Sequence, residues 1–329
     1  MRQTRKFQTT LICVLLLAAV PVARSQQTDK TARVGWVDVS YDLKTAPRPE
    51  QLDGLVAGLR ERGWVQGKNL VMEVRIGDSG KAADFGAELV RNKTDVIFVS
   101  GPMVRGVMAR AGATPIVFGI TGDPVEMGFV ATLARPGGNL TGLTSLALEL
   151  EGKRLEFLKE IAPRITRVAV LANGLHPGFN SQLKATQAAA RQLGLSLQVV
   201  AVREPGEFEA AFEAMTRGRA QAIVAFPDGL IHRQAKVIAE YAMRRRIPSI
   251  GGWLYFVEAG NLMSYGPSEY EFYRRTAAYV DRILRGAKPA DLPVELPTRF
   301  ELMVNKATAK ALGLSLPSSV LVRAEKVVE

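Results

Sequence analysis

The sequence has a single cysteine and only two histidines, which limits the chemistry its side chains can perform. Cys13 lies in the apolar N-terminal segment, so the rest of the chain has no thiol for a disulfide, a nucleophile or a metal site. A catalytic histidine also needs a nucleophile and an orienting partner, so we expect His176 and His232 to lie on the surface. The motifs G-x-G-x-x-G, G-x-S-x-G and H-E-x-x-H do not occur. We therefore expect a protein that is not an enzyme and that holds no cofactor and no metal.

Long apolar runs are also missing, apart from one near the N-terminus. A membrane-spanning helix needs about 20 apolar residues, and no later run approaches that length. A basic start precedes the apolar run Leu11–Val20, and Ala23-Arg24-Ser25 has the small residues of a cleavage site. This predicts a signal peptide over residues 1–25, export to the periplasm, and no membrane insertion after cleavage.

The net charge of +11 is not concentrated in any one region. Residues 1–25 hold four basic residues and no acidic ones, which leaves +7 for the remainder. The only basic run is Arg244-Arg245-Arg246, and no aromatic residues interleave with it. Nucleic-acid binding usually requires a concentrated basic stripe. We therefore expect no nucleic-acid partner and interpret the triplet as a solvated helix end.

Short β-rich segments alternate with amphipathic helical segments along the chain, which predicts parallel sheets covered by helices on both faces. About 300 residues exceed what one hydrophobic core serves, so we expect two domains. The pattern breaks at the Pro- and Gly-rich segment 134–142, interpreted as a crossover between lobes, and then restarts. The sequence thus predicts an α/β fold of two doubly wound parallel-sheet lobes joined by hinge crossovers.

The late part of the chain predicts a return between the lobes. A long helix is expected over 269–284, followed by the extended, Pro-rich segment 289–297. Two or three such crossings would let the lobes close on each other. The predicted lobe boundaries are 30–143 plus 267–297 for lobe 1, and 144–266 plus 298–329 for lobe 2.

Ligands of open α/β sheets bind beyond the carboxyl ends of the strands, so residues in those loops are the candidate ligand contacts. Ten residues meet this condition: Asp38, Ser40, Ser100, Gly101, Pro102, Thr121, Asp123, Asn173, Asp228 and Trp253.

Two of these loops carry complementary charge preferences. Ser100 can cap the next helix, Gly101 allows close backbone approach, and Pro102 suits a first helical turn, where free N–H groups favour an anion. Asp123 could face a ligand ammonium, which suggests a zwitterion such as an amino acid or a related small carboxylate. Helix capping alone would also account for Ser100, Asp123 and Asp228.

Several motifs, taken in order, resemble the tryptophan/tyrosine-type substrate-binding proteins of ABC importers, which have the type I periplasmic-binding fold. They are Gly63-Trp64-Val65-Gln66-Gly67-Lys68-Asn69, Gly122-Asp123-Pro124-Val125, the segment 134–142, Gly152-Lys153-Arg154-Leu155-Glu156, Leu262-Met263-Ser264-Tyr265-Gly266 and the segment 286–295. The resemblance covers almost all of the chain after residue 25. It implies ligand capture between the lobes, with the Ser100-Gly101 and Asp123 loops among the contacts.

The resemblance also implies partners: a small-molecule ligand and the membrane permease of an importer, with the chain itself expected to be a monomer. This sequence departs from the family pattern at Glu126-Met127-Gly128, at Leu296 and at Trp253-Leu254-Tyr255, where added aromatic residues could mean a more apolar ligand.

Two alternatives stay open from the sequence. One is a racemase- or lyase-type enzyme that uses acidic residues of the cleft, and the other is a ligand-sensing module for a membrane receptor.

Overall fold

The computed structural model describes residues 31–38, 50–145 and 148–329. The predicted signal peptide and Ser40 lie outside the described residues, so both stay predictions. Among the described residues, no helix combines the length and the apolar character that crossing a membrane would require.

The first lobe is built on a sheet of five parallel strands in the order β2-β1-β3-β4-β5. The strands are β1 (Ala32–Asp38), β2 (Leu70–Ile76), β3 (Val96–Ser100), β4 (Ile116–Ile120) and β5 (Leu140–Thr144). Its helices are α1 (Glu50–Glu61), α2 (Ala82–Arg91) and α3 (Val104–Ala111), to which the late helix 269–284 is added. Apolar side chains of α1 and the late helix cover one face of the sheet, and those of α2 and α3 cover the other.

The second lobe contains a sheet of seven strands in the order β12-β11-β10-β9-β8-β6-β7. The strands are β6 (Arg167–Asn173), β7 (Ser196–Val202), β8 (Ala222–Ala225), β9 (Ser249–Gly251), β10 (Met263–Gly266), β11 (Glu301–Asn305) and β12 (Ala324–Val328). Its helices are α4 (Glu149–Ile161), α5 (Phe179–Gln192), α6 (Phe208–Arg217), α7 (Gly229–Arg233), α8 (Ala235–Arg245), α9 (Leu254–Glu258), α11 (Lys306–Leu312) and α12 (Ser318–Arg323). The helix between β10 and β11 is α10 (Glu269–Leu284). The prediction of two doubly wound lobes is confirmed, except that β11 runs antiparallel to β10.

The interpretation of residues 134–142 as a crossover is wrong, because Leu140 begins β5 and pairs with β4. Glycine content misled the prediction here, since Gly142 lies within the strand. A Cβ atom at Gly142 would lie 2.1 Å from the carbonyl oxygen of Phe118, so only glycine allows the two strands this approach. The chain leaves the first sheet after β5 instead.

Two further segments connect the sheets: the residues between β10 and α10, and those between α10 and β11. The second of these runs beside β5, where Glu295 pairs with Gly142 and Thr144 through backbone hydrogen bonds of 3.2 and 3.0 Å. The expected extended course is found only after residue 291, because Pro289–Asp291 form a short 3-10 helix. We propose the lobe boundaries given above as the units that move when the cleft opens.

Helices α1 and α10 pack closely because α1 carries two glycines at the contact. A Cβ atom at Gly54 would lie 2.6 Å from the carbonyl oxygen of Tyr270, and one at Gly58 would lie 2.3 Å from that of Arg274. The pairing of 54 with 270 and 58 with 274 shows that the two helices run in the same direction. Their first turns therefore meet at the same end of the lobe, which is the end that faces the cleft.

Candidate functional site

Two adjoining cavities lie where the carboxyl ends of the strands of both lobes meet. The first, called here the aromatic cavity, encloses about 630 Å³ of empty space, including the part open to solvent. Its wall includes Trp253 from the second lobe and Phe272 and Tyr273 from α10. The second, called the charged cavity, is bordered by Asp78, Arg203, Glu204 and Arg233. The two cavities share seven residues, which are Gly101, Pro102, Ile120, Thr121, His176, Asp228 and Gly229.

The structure brings most of the predicted site residues to these cavities. Six of them line the aromatic cavity, namely Ser100, Gly101, Pro102, Thr121, Asp228 and Trp253. Asn173 lines the charged cavity. Their placement agrees with the expectation that functional loops follow the carboxyl ends of parallel strands, and their role as ligand contacts stays a prediction.

The segment after β3 borders both cavities through Gly101 and Pro102. Gly101 has a φ of +51°, a left-handed conformation that favours glycine, and open space surrounds the position of a Cβ atom there. Pro102 occupies the first turn of the short helical segment that leads into α3. Ser100 is buried but makes no side-chain hydrogen bond to the helix start, so the expected capping role is wrong. Of these residues Gly101 offers a backbone N–H that can contact an anion, whereas Pro102 has none.

A hydrogen bond joins the lobes at the border between the cavities. The Oγ1 atom of Thr121, after β4, lies 2.7 Å from Nε2 of His176, which follows β6. Because Nδ1 of His176 accepts the N–H of Gly178 at 3.1 Å, the ring proton sits on Nε2 and is donated to Thr121. Burial lowers the pKa of His176, while the nearby charge of Asp228 acts in the opposite direction. His176 is therefore a neutral link between the lobes.

The second histidine belongs to an aromatic group on the second lobe. The ring of His232, on α7, stacks on Tyr255 with centroids 4.3 Å apart and lies edge-on to Trp253 at 5.7 Å. Burial lowers the pKa of His232 to about 4, so the ring is uncharged at neutral pH. The expectation that both histidines lie on the surface is wrong for His232, which is buried, whereas His176 is half-buried at the wall of the cleft. No motif surrounds either histidine in the sequence, so the sequence did not indicate that they lie at the cleft.

Asp228 is the acidic residue at the border of both cavities. Its side chain is buried, and Oδ1 accepts the N–H of Leu230 at 2.7 Å at the start of α7 and the amide of Asn173 at 3.1 Å. These bonds fix the orientation of the carboxylate in the cleft. Asp228 can therefore cap α7 and contact a ligand at the same time.

Asp123 has a different environment from the one expected. Its Oδ1 accepts the N–H groups of Val125 at 2.8 Å and of Glu126 at 3.3 Å, which organises its own turn. It is not among the residues that border either cavity. The geometry favours the turn role over the predicted contact with a ligand ammonium. Asn or Asp in such turns accepts backbone N–H groups in this way.

Asp38 lies at the end of β1 and is 1% exposed. It borders neither of the two cavities, and its carbonyl oxygen accepts the N–H of Gly77 at 3.2 Å. The residue that follows it by two, Ser40, falls outside the described residues. The role of Asp38 as a ligand contact stays a prediction.

The sequence-based prediction missed a polar pair on the first lobe. Gln51, in the first turn of α1, donates from Nε2 to Oε1 of Glu269, in the first turn of α10, at 3.0 Å. Both residues line the aromatic cavity. The two lie 218 positions apart, and only the packing of α1 on α10 brings them together. Within the described residues, no cluster of three His, Cys, Asp or Glu side chains could hold a metal ion.

The chain matches the family model described as "ABC transporter substrate binding protein" over residues 37–328. A tyrosine-binding protein of Clostridioides difficile is 24% identical over 264 residues, which are 79% of this chain and 76% of that protein. A conserved domain protein of Vibrio cholerae has a similar structure, with a TM-score of 0.82, 27% identity, and coverage of 91% of this chain and 100% of that one.

A Streptococcus pneumoniae ABC domain, solved in complex with L-Trp, is similar to the same degree. Its TM-score is 0.82 at 25% identity, and the match covers 91% of this chain and 100% of that chain. These matches agree with the two-lobed architecture and with the resemblance found in the sequence. The chain belongs to the family of ABC transporter substrate-binding proteins.

Proposed function

We propose that this chain is the periplasmic solute-binding component of an ABC importer, that it captures an α-amino acid between its lobes, and that it delivers this ligand to a membrane permease. Membership of the substrate-binding family supports the transport role. The N-terminal pattern over residues 1–25 supports export by a cleaved signal peptide. The ligand class rests on the chemistry of the cleft.

The observation that carries the proposal is that two groups of opposite charge preference border the same cavities. One is the backbone at Gly101, called here the anion seat, and the other is the carboxylate of Asp228. The backbone N–H of Gly101 is the donor for the ligand carboxylate, because the neighbouring Pro102 has no N–H, and Asp228 provides a negative charge for the ligand ammonium. In an α-amino acid the two charged groups share one carbon atom, so their partners must lie side by side. All three residues border both cavities, which supports this arrangement.

The remainder of the aromatic cavity suits the side chain of the ligand. Trp253, Phe272 and Tyr273 offer apolar ring faces, and the neutral ring of His232 adds another. Stacking of aromatic rings adds to the affinity gained from burial alone. The relatives described as binding tyrosine and L-Trp support an aromatic amino acid as the ligand.

We infer that the protein binds this ligand without transforming it. The two cleft histidines are held uncharged by burial, and His176 is engaged in the link between the lobes. If the inference holds, an amino acid incubated with the purified protein is recovered unchanged in structure and chirality. Racemised or shortened product formed in proportion to protein concentration would support an enzyme instead.

Calorimetric titration with a matched set of compounds tests the ligand class. L-Tryptophan carries both charges, tryptamine lacks the carboxylate, and indole-3-propionate lacks the ammonium. Loss of one partner of a desolvated charge pair typically costs about 2–5 kcal/mol, so each analogue is expected to bind about thirtyfold more weakly or worse. An analogue that binds as tightly as the amino acid would contradict the assigned charge contacts.

A further inference from the structure

One residue that lines the aromatic cavity carries a polar atom without a hydrogen-bond partner in the described part of the chain. Gln51 is 3% exposed, and its Oε1 atom is buried without a hydrogen-bond partner among the described residues. Its Nε2 atom donates to Glu269, which fixes the orientation of the amide. A buried carbonyl oxygen without a partner destabilises the protein, so its retention calls for a donor that binds there.

The position of Gln51 within the cleft indicates which part of a ligand it meets. Gly101 and Asp228 lie at the border shared by the two cavities, whereas Gln51 and Glu269 line the aromatic cavity and not the charged cavity. Phe272 and Tyr273 follow Glu269 on α10 and line the same cavity. A ligand whose charged groups occupy the shared border thus directs its side chain towards the part of the cleft that contains Gln51.

We propose that Gln51, held in place by Glu269, selects ligands that carry a hydrogen-bond donor on their side chain. This inference rests on the proposed function, because it assumes an α-amino acid in the cleft. An indole N–H, a phenol O–H or an amide N–H can donate to Oε1, and a plain hydrocarbon side chain cannot. Gln51 acts here as a specificity-determining residue, and the Glu269 carboxylate prevents the amide from turning its N–H₂ group towards the ligand.

The selection has a physical basis in the binding free energy that is lost when a ligand without a donor leaves Oε1 of Gln51 unpaired. A site built to pair with a donor leaves a buried acceptor unpaired when the donor is missing. Two ligands that differ only in the side-chain donor gain nearly the same dispersion energy and bury nearly the same ring area. Wild-type protein is therefore expected to prefer the donor-bearing ligand by about tenfold to a hundredfold.

The experiment compares two ligand pairs by calorimetric titration: L-tryptophan with 3-benzothienyl-L-alanine, in which sulfur replaces the N–H, and L-tyrosine with L-phenylalanine. The test variant is Gln51→Met, which keeps the length of the side chain and removes the amide. Gln198→Met is the matched control, because Gln198 also has a buried, unpaired Oε1 but lies on β7, outside both cavities.

The proposal predicts that Gln51→Met abolishes the preference within a pair while the donor-free ligand binds as well as before or better. Gln198→Met should keep the wild-type preference. If Gln51→Met weakens both members of a pair equally, Gln51 holds the ammonium or only shapes the cleft, and the proposal is overturned. Equal affinities within each pair in wild-type protein overturn it as well, whereas failure of all amino acids to bind overturns the proposed function itself.

Discussion

Asp123 and Asp228 both carry a carboxylate, but we expect Asp123 to stabilise its own turn and Asp228 to bind the ligand. Asp123 accepts two N–H groups of its own turn, and Asn can do the same. Asp228 faces the cleft from the start of α7. Asp123→Asn is expected to leave affinity for an amino acid within about twofold, whereas Asp228→Asn should lower it by about thirtyfold or more.

Calorimetric titration of both variants, with the melting temperature of each ligand-free protein, measures this contrast. Because Asn keeps the capping acceptor at each position, the ligand-free proteins should melt close to wild type. Weaker binding by Asp123→Asn together with unchanged binding by Asp228→Asn would reverse the assignment.

Buried, neutral histidines make the stability depend on pH. The pKa of His232 is about 4 in the folded protein and near 6.5 in an unfolded chain, so the unfolded state takes up a proton first as pH falls. Stability is therefore expected to fall by about 3 kcal/mol between pH 7 and pH 4 from this residue, and His176, whose pKa is also lowered, adds to the loss.

Denaturant unfolding of wild type and His232→Phe from pH 7 to pH 4 tests this prediction. Phenylalanine keeps the ring that stacks on Tyr255 and cannot be protonated. The variant should lose less stability than wild type over this range. Identical pH profiles would show that His232 is not neutral in the folded protein for the reason given.

At the residue scale, the sequence predicted the strand-end loops but not the contents of the cleft between them. Thr121, Asp228 and Trp253 follow apolar strands, so a general rule of sheet architecture places them. Gln51 and Glu269 lie in first turns of helices that are distant in sequence, and their meeting depends on helix packing that no local pattern encodes. For the same reason the sequence could not show that Asp123 turns its carboxylate onto its own backbone.

The contact between α1 and α10 is the element that positions the Gln51–Glu269 pair. A methyl group at Gly58 would meet the backbone of Arg274, which cannot move aside as a flexible side chain would. Gly58→Ala is therefore expected to destabilise the protein by about 1–3 kcal/mol, although alanine favours a helix more than glycine does.

Gly152→Ala on α4 is the matched control for this substitution. The added carbon would lie 3.4 Å from the Cβ of Ala189, an ordinary contact, so this change should be neutral or stabilising by up to about 1 kcal/mol. Urea unfolding of the two variants measures the difference. Equal stabilities would mean that the helices can separate without cost.

At the element scale, the sequence predicted α10 with the bounds that the structure has, 269–284. Strand direction was not predictable, because an alternating apolar pattern is the same in either direction, and β11 is antiparallel to β10. The edge strand β12 was missed because its residues are mostly exposed and carry charges. The crossover was misplaced because a glycine required by close strand packing looks like a glycine in a loop.

At the scale of the whole molecule, the proposed function requires the lobes to close around a ligand after export. Besides the Thr121–His176 link, Oγ of Ser181 donates to Glu126 across the cleft at 2.9 Å.

Export is expected to remove residues 1–25, so N-terminal sequencing of protein from the periplasmic fraction should begin at Gln26. Recovery of the chain only in membranes with Met1 retained would contradict the predicted localisation.

Native mass spectrometry of the purified, processed protein tests the central claim most directly, because it weighs whatever the cleft holds. Wild-type protein mixed with the common L-amino acids is expected to retain one molecule per chain, with the mass of an aromatic amino acid. Asp228→Asn should lose most of this adduct. A retained molecule of another chemical class, or no retained amino acid at any concentration tested, would contradict capture of an α-amino acid between the lobes.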